Sequence, residues 1–199
     1  MDKDIMIAPG LLCQYTISTE LIRIYVAHLL YIQVNTKTKN IGILATASTL
    51  KGEKYQLLAN ELTTKSEVTL HEQACIGLVE QIENGEINSL KTYSMLETWL
   101  KPMLHNKVDT IVLGCTHYPL VKKTILDIVG EDVLLIDTGD AIAKRVVTLS
   151  QDLQNNNKDE LNIEILYTGK INSDMVKIIL GKNKFEMRKC ELWEQLWKM

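Results

Sequence analysis

Apolar residues in this chain fall in short, near-continuous blocks, separated by segments with helical spacing. The block Asn40–Ala45 (NIGILA) leads into small and hydroxyl residues and predicts a buried strand running into a loop. A helix is expected over Lys54–Leu62, then a strand over Glu67–Leu70 reaching the Glu72–Cys75 stretch. Ile76–Glu83 has helical spacing. Ser89–His105 reads as a longer amphipathic helix with Leu90, Tyr93, Leu96, Leu100 and Leu104 on one side, and Pro102 is expected to kink or end its last turn. Asp109–Gly114 (DTIVLG) is the clearest strand, aliphatic enough for a central parallel strand covered on both faces. Pro119 is expected to open a helix through about Val129. Val133–Ile136 predicts a strand, Asp140–Leu149 a helix, Gln151–Asp159 a polar loop, Ile163–Tyr167 a strand, Ser173–Leu180 a helix and Glu186–Leu192 a last strand.

Strand, loop and helix recurring in this order predict an α/β fold of parallel βαβ units. Ligands in such sheets bind beyond the carboxyl ends of the strands. Three segments converge on that edge: Ala45–Thr49, Gly114–His117 and Asp137–Gly139, all rich in small or hydroxyl residues.

Composition narrows the picture. Hydrophobic residues make up 46% of the 199 positions, which excludes intrinsic disorder. The net charge of -3 comes with no basic stripe, so nucleic acid is not an expected partner. Cys13, Cys75, Cys115 and Cys190 form no Cys-x-x-Cys pair, and His28, His71, His105 and His117 show no ligand spacing, so no metal and no disulfide framework are expected. Leu21–Val34 is apolar but interrupted by Arg23, His28 and Gln33. It reads as a packed helix or strand rather than a membrane span, and with no signal peptide in evidence a cytoplasmic protein without membrane contact is expected.

Cys115 carries the most chemistry. It sits between a predicted strand and a predicted helix N-terminus, where backbone N–H groups favour negative charge on a thiol. His117 is placed to assist as an acid or to orient a partner, and Thr116 offers a hydroxyl and an N–H to a carboxylate. Against this stands the ordinary fate of a free cysteine, burial without function, which is also the reading for Cys75. A Cys/His hydrolase is set aside, because Cys115 and His117 are expected to be too close in sequence for their side chains to pair.

Gly114-Cys115-Thr116-His117-Tyr118-Pro119-Leu120 resembles the second catalytic motif of glutamate racemases, in the aspartate/glutamate racemase superfamily. Ile41–Thr49 is similar to the family's Gly-x-x-Ala-Thr-x-x-Thr segment. Ala74-Cys75 with Leu78-Val79-Glu80 resembles its Ala-Cys-Pro stretch ending in Leu-Val-Glu. Ile136–Ala141 resembles its Asp-Ser-Gly-Glu-Ala segment, and Tyr167-Thr168-Gly169 a strand exit near its C-terminus. The resemblance runs in order from about Lys39 to Leu192. It implies a cofactor-independent isomerase interconverting L- and D-glutamate for peptidoglycan and cell-wall synthesis. Two cysteines work on opposite faces of the α-carbon. It further implies Cys115 as a proton-transfer group assisted by His117, substrate contacts from Thr116, Thr46 and Thr49, and a pocket role for Glu80. Each has a plainer reading: helix capping for Thr46 or Thr49, a solvated helix position for Glu80, and a strand end for Asp137.

The family pattern also includes an opening Asp-Ser-Gly, a Tyr-Gly pair and a first catalytic Cys-Asn-Thr, none of which precedes Asn40 here. Cys13-Gln14-Tyr15-Thr16, after Asp4–Ala8, faintly echoes the last of them and makes Cys13 the candidate second thiol. The expected organisation is therefore an atypical segment over 1–39, a central lobe over 40–149 with the Cys115 motif, and a strand–helix–strand over 150–199 completing a fold whose N-terminal lobe is incomplete. Missing strands leave an exposed sheet edge and apolar surface, which favour dimerisation, as a homodimer, or aggregation. Two other readings stand beside the racemase: a non-catalytic remnant or amino-acid-binding module, and a superfamily member acting on aspartate or another small acid.

Overall fold

The computed structural model describes residues 36–137, 139–149 and 163–190. Described residues through Leu149 belong to a compact unit spanning Glu20–Asp152, and residues 163–190 to a second unit. The apolar segment 21–34, Cys13 and the polar loop 151–159 lie outside the described residues.

In the first unit the apolar blocks form a four-stranded parallel sheet in the order β2-β1-β3-β4. These strands are β1 (Asn40–Ala45), β2 (Thr69–Ala74), β3 (Thr110–Gly114) and β4 (Leu134–Ile136). β1 is buried from Ile41 to Ala45, as a central strand covered on both faces must be. β2 mixes exposed and half-buried positions and takes an edge. It begins later than the sequence suggests, because the preceding helix runs on to Ser66 and Glu67 turns into the left-handed region at φ 51° to end it.

Helices α1 (Ala47–Lys51) and α2 (Glu53–Ser66) follow β1, while α3 (Leu78–Glu83) and α4 (Leu90–His105) follow β2. After β3 comes a 3-10 turn, Tyr118–Val121, then α5 (Lys122–Val129), and α6 (Gly139–Leu149) follows β4. On one face Ile41, Ile43 and Ala45 pack with Leu62 of α2, Val68 and Ile136. On the other, α4 comes so near that a Cβ on Gly42 would lie 2.8 Å from Met103 Sδ. Glycine lets helix and sheet close there, and each fully buried Leu or Ile adds about 1.5–3 kcal/mol.

Two sequence expectations for α4 need correction. Its buried stripe is Thr92, Leu96, Leu100 and Met103, whereas Leu90 is 89% exposed and Tyr93 40%. Thr92 can be buried because its hydroxyl donates to Glu86 O at 2.6 Å while its N–H donates to the N-cap Ser89 Oγ. Pro102 does not end the helix, which runs to His105. In the last turn its missing N–H costs one bond, and its own carbonyl still accepts from Asn106 N.

The second unit contributes β5 (Ile163–Tyr167), α7 (Ser173–Leu180) and β6 (Phe185–Lys189), with β5 and β6 parallel neighbours. The last strand thus starts one residue before the expected Glu186. No helix among the described residues is long and apolar enough to cross a membrane.

Candidate functional site

The carboxyl edge of the first unit's sheet is level. Ala45 is paired with Ala74 on one side and Gly114 on the other. The residues one step beyond are therefore Thr46, Cys75 and Cys115, brought together by register alone. Gly114 makes the close packing possible: a Cβ there would sit 3.1 Å from Ala45 Cβ and 3.2 Å from Leu44 O.

Cys115 is half-buried. Its Sγ lies 3.7 Å from His117 Nδ1, and His117 Nε2 lies 3.1 Å from Glu83 Oε1 at the end of α3. The expectation that Cys115 and His117 are too close in sequence to pair is overturned. The chain turns at Cys115, whose carbonyl accepts from Tyr118 N at 3.2 Å, and His117 is in the helical region, so side chains two residues apart fold to the same side. The segment after Cys115 is also not the start of the expected helix. A four-residue 3-10 turn intervenes, so the group facing the thiol is His117 rather than an α-helix N-terminus. The hydrogen bond with Cys115, foremost, and the Cys115 and Glu83 charges hold the His117 imidazolium above the ordinary histidine range, against the opposing effect of burial. A protonated His117 donates from both nitrogens, to thiolate and to carboxylate.

Glu83 was not singled out in the sequence. Glu80, which was, lies one turn earlier on α3 and is exposed. The two are three positions apart and so share a helix face, but the later one reaches His117. A terminal, solvent-facing glutamate leaves no mark in a hydrophobic pattern.

Thr46 is the N-cap of α1: its Oγ1 accepts from Thr49 N at 3.1 Å and lies 2.9 Å from Thr49 Oγ1. The capping reading of Thr46 is correct as geometry, yet it does not use up the pair. Two hydroxyls share one bond between them, so one O–H remains to donate outward. Thr116 is exposed beside Cys115. Asp137, at the end of β4, accepts from Gly139 N at 2.9 Å and lies 3.5 Å from Lys122 Nζ, the strand-end role considered for it.

Cys75 is 3% exposed, and its thiol donates to Gln73 O at 3.6 Å. Burial, foremost, pushes it up to about 12, so at neutral pH it stays a neutral thiol. Tyr118 is fully buried, and its hydroxyl meets no partner in hydrogen-bonding geometry. Burial pushes this phenol up, and the Cys75 and Cys115 sulfurs push it further.

A hollow of about 280 Å³ lined by Lys37, Asp109, Glu131, Asp132 and Leu134 lies at the amino edge, away from this cluster. The Asp109 carboxylate there is already taken up by the Thr36 and Thr110 hydroxyls and by the N–H groups of Lys37 and Thr38.

The glutamate racemase of Aliarcobacter butzleri is 59% identical over 159 residues, which are 80% of this chain and 61% of that protein. The glutamate racemase of a Sulfurovum species is 58% identical over 145 residues, 73% of this chain and 55% of that protein. The crystal structure of a glutamate racemase isoform from Bacillus anthracis superposes with a TM-score of 0.66 at 25% identity, over 85% of this chain and 64% of that one. The chain thus spans less than two thirds of the length of these relatives. The profile of the family described as Asp/Glu/Hydantoin racemase matches residues 21–146, and the chain belongs to that family.

Proposed function

We propose that this chain carries out the proton-transfer chemistry of a glutamate racemase, with Cys115 as the group acting on one face of the α-carbon. The observation that carries the reading is the unbroken line from Cys115 Sγ through both His117 nitrogens to Glu83, 3.7 Å and 3.1 Å long, at the carboxyl edge of the sheet. A cysteine alone at that edge would be ordinary. One whose histidine partner is oriented by a carboxylate is poised to exchange a proton.

In this reading the Cys115 thiolate takes the α-proton of L-glutamate and becomes a thiol, leaving a carbanion whose charge spreads into the α-carboxylate. A second thiol on the opposite face then gives its proton to the α-carbon, which completes inversion. The reverse sequence consumes D-glutamate. The α-hydrogen is a very weak acid, so fixed donors must meet the growing charge on the carboxylate. Thr116 supplies a hydroxyl and an N–H beside the sulfur, and the Thr46–Thr49 pair supplies its unspent O–H. His117, whose charged form is favoured first by Cys115 and further by Glu83, stands beside the sulfur as its hydrogen-bonding partner. Glu80, exposed one turn before Glu83 on the same helix, stays a candidate for the pocket and is given no step in this scheme. Cys13, outside the described residues, is the candidate second thiol. No cofactor enters the scheme.

The substrate is glutamate, as the names of the relatives suggest, and the product D-glutamate would feed peptidoglycan synthesis in the cytoplasm. A homodimer is the assembly we expect. Circular dichroism of L-glutamate and, separately, D-glutamate incubated with the protein tests the reading. Decay of both signals toward zero, absent with Cys115→Ala, supports it. Persistence of both with folded protein leaves a non-catalytic amino-acid-binding remnant as the better account.

A further inference from the structure

Tyr118 is the largest fully buried side chain in the described structure. It follows His117 directly, and its N–H closes the turn onto the Cys115 carbonyl. The 3-10 turn that it opens packs against β3, whose end carries Cys115, and against α3, whose end carries Glu83. Tyr118 therefore stands where the supports of all three members of the Cys115–His117–Glu83 line meet.

Its hydroxyl has no partner in full hydrogen-bonding geometry, although it lies close enough to the Cys75 thiol for the two to influence each other. A thiol is only a weak acceptor and leaves most of the cost of burying that O–H unmet, so the ring explains the residue better than its polar end. What remains is the ring: a rigid, flat body with two torsions, filling the space beneath the turn.

We propose that Tyr118 is a positioning residue for Cys115, acting through its aromatic ring and not its hydroxyl, by fixing the turn that sets the Cys115–His117 approach and the height of His117 over Glu83. The proposal rests on the reading of Cys115 and His117 as a working pair. Its test reads that pair directly and requires no turnover.

The experiment compares wild type, Tyr118→Phe and Tyr118→Leu in the full chain. Iodoacetamide alkylation at pH 7 is followed at Cys115 by mass spectrometry, and the His117 ring is titrated by NMR. Circular dichroism checks the fold, and Tyr118→Met replaces the leucine variant if that one does not fold. The phenylalanine variant is expected to match wild type in both readouts and to melt at the same or a higher temperature. The leucine or methionine variant is expected to alkylate Cys115 several-fold more slowly as its approach to His117 loosens, with His117 titrating closer to an ordinary histidine. Slowed alkylation and a lowered His117 titration in the phenylalanine variant overturn the proposal, because the hydroxyl is then the working part. A folded leucine or methionine variant with wild-type behaviour overturns it as well. The phenylalanine arm decides on its own, since it keeps the ring. If the racemase reading fails while wild-type His117 still titrates high, the positioning claim survives; if wild-type His117 titrates as a free histidine, the pair itself is absent and both fall.

Discussion

Glu83 Oε1 lies 3.1 Å from His117 Nε2 across 34 positions of sequence, joining the end of α3 to the turn after β3. This contact makes His117 more than a neighbour of Cys115, because it fixes which way the imidazole faces and which charge it favours. Replacing Glu83 with glutamine keeps the size and removes the charge. The His117 titration, followed by NMR, is expected to fall toward the ordinary range while the protein stays folded. Activity at neutral pH is expected to fall about tenfold, within the span of a general acid–base contribution. An unchanged His117 titration in Glu83→Gln rules out the role given to the carboxylate.

The same elevation predicts a pH dependence of stability. His117 is raised in the folded state, so its contribution is fully present below the unfolded histidine value of about 6.5 and is lost as pH rises through the higher folded value. Chemical denaturation across pH 5.5 to 8.5 should therefore show a downward slope in wild type that flattens in His117→Gln. A slope of equal size in both proteins assigns the effect elsewhere.

Cys75 and Cys115 follow the two strands that flank β1 but differ in reactivity. Cys75 is buried and pushed up to about 12, so brief iodoacetamide treatment at pH 7.5 should label Cys115 and spare Cys75. Labelling at equal rates means that the Cys75 site opens readily. Cys75→Ala is expected to cost about 1–2 kcal/mol in denaturant unfolding, as the loss of a small buried side chain does.

Gly114→Ala tests the register that levels the carboxyl edge. The new Cβ would press on Ala45 Cβ at 3.1 Å and on Leu44 O at 3.2 Å. Because the backbone oxygen cannot swing aside, β3 must shift, at about 1–3 kcal/mol, and Cys115 with it. The expected result is a stability loss accompanied by slower Cys115 chemistry; full stability together with full activity disproves the tight fit.

Thr46→Val removes the N-cap oxygen of α1 and should cost about 1 kcal/mol. If the hydroxyl pair also meets substrate, KM rises in both Thr46→Val and Thr49→Val. A stability loss in Thr46→Val with KM unchanged in both leaves capping as the whole role.

Hydrophobic spacing in the sequence located the first unit's four strands and its longer helices to within a few residues, but the short helix Ala47–Lys51 falls where a loop is expected, because the Thr46 cap and not an apolar stripe starts it. Aliphatic blocks such as Ile41–Ala45 and Thr110–Gly114 are buried on both faces, and no other element accommodates them. What escaped was set by contacts between distant segments. Thr92 replaces Leu90 in the buried stripe of α4 because Glu86 O is there to receive its hydroxyl. Glu83 is recognised only once α3 is seen to end beside His117. The Cys115–His117 pairing escaped for a local reason: sequence spacing does not reveal that the chain turns back on the Cys115 carbonyl.

The most direct test of the central claim, that Cys115 exchanges the α-proton of glutamate, is proton NMR of L-glutamate and D-glutamate with the full chain in deuterated water. The account predicts that the α-proton signal washes out with wild type and persists with folded Cys115→Ala. Exchange that continues undiminished in Cys115→Ala, or no exchange of either enantiomer by folded wild-type protein, contradicts it.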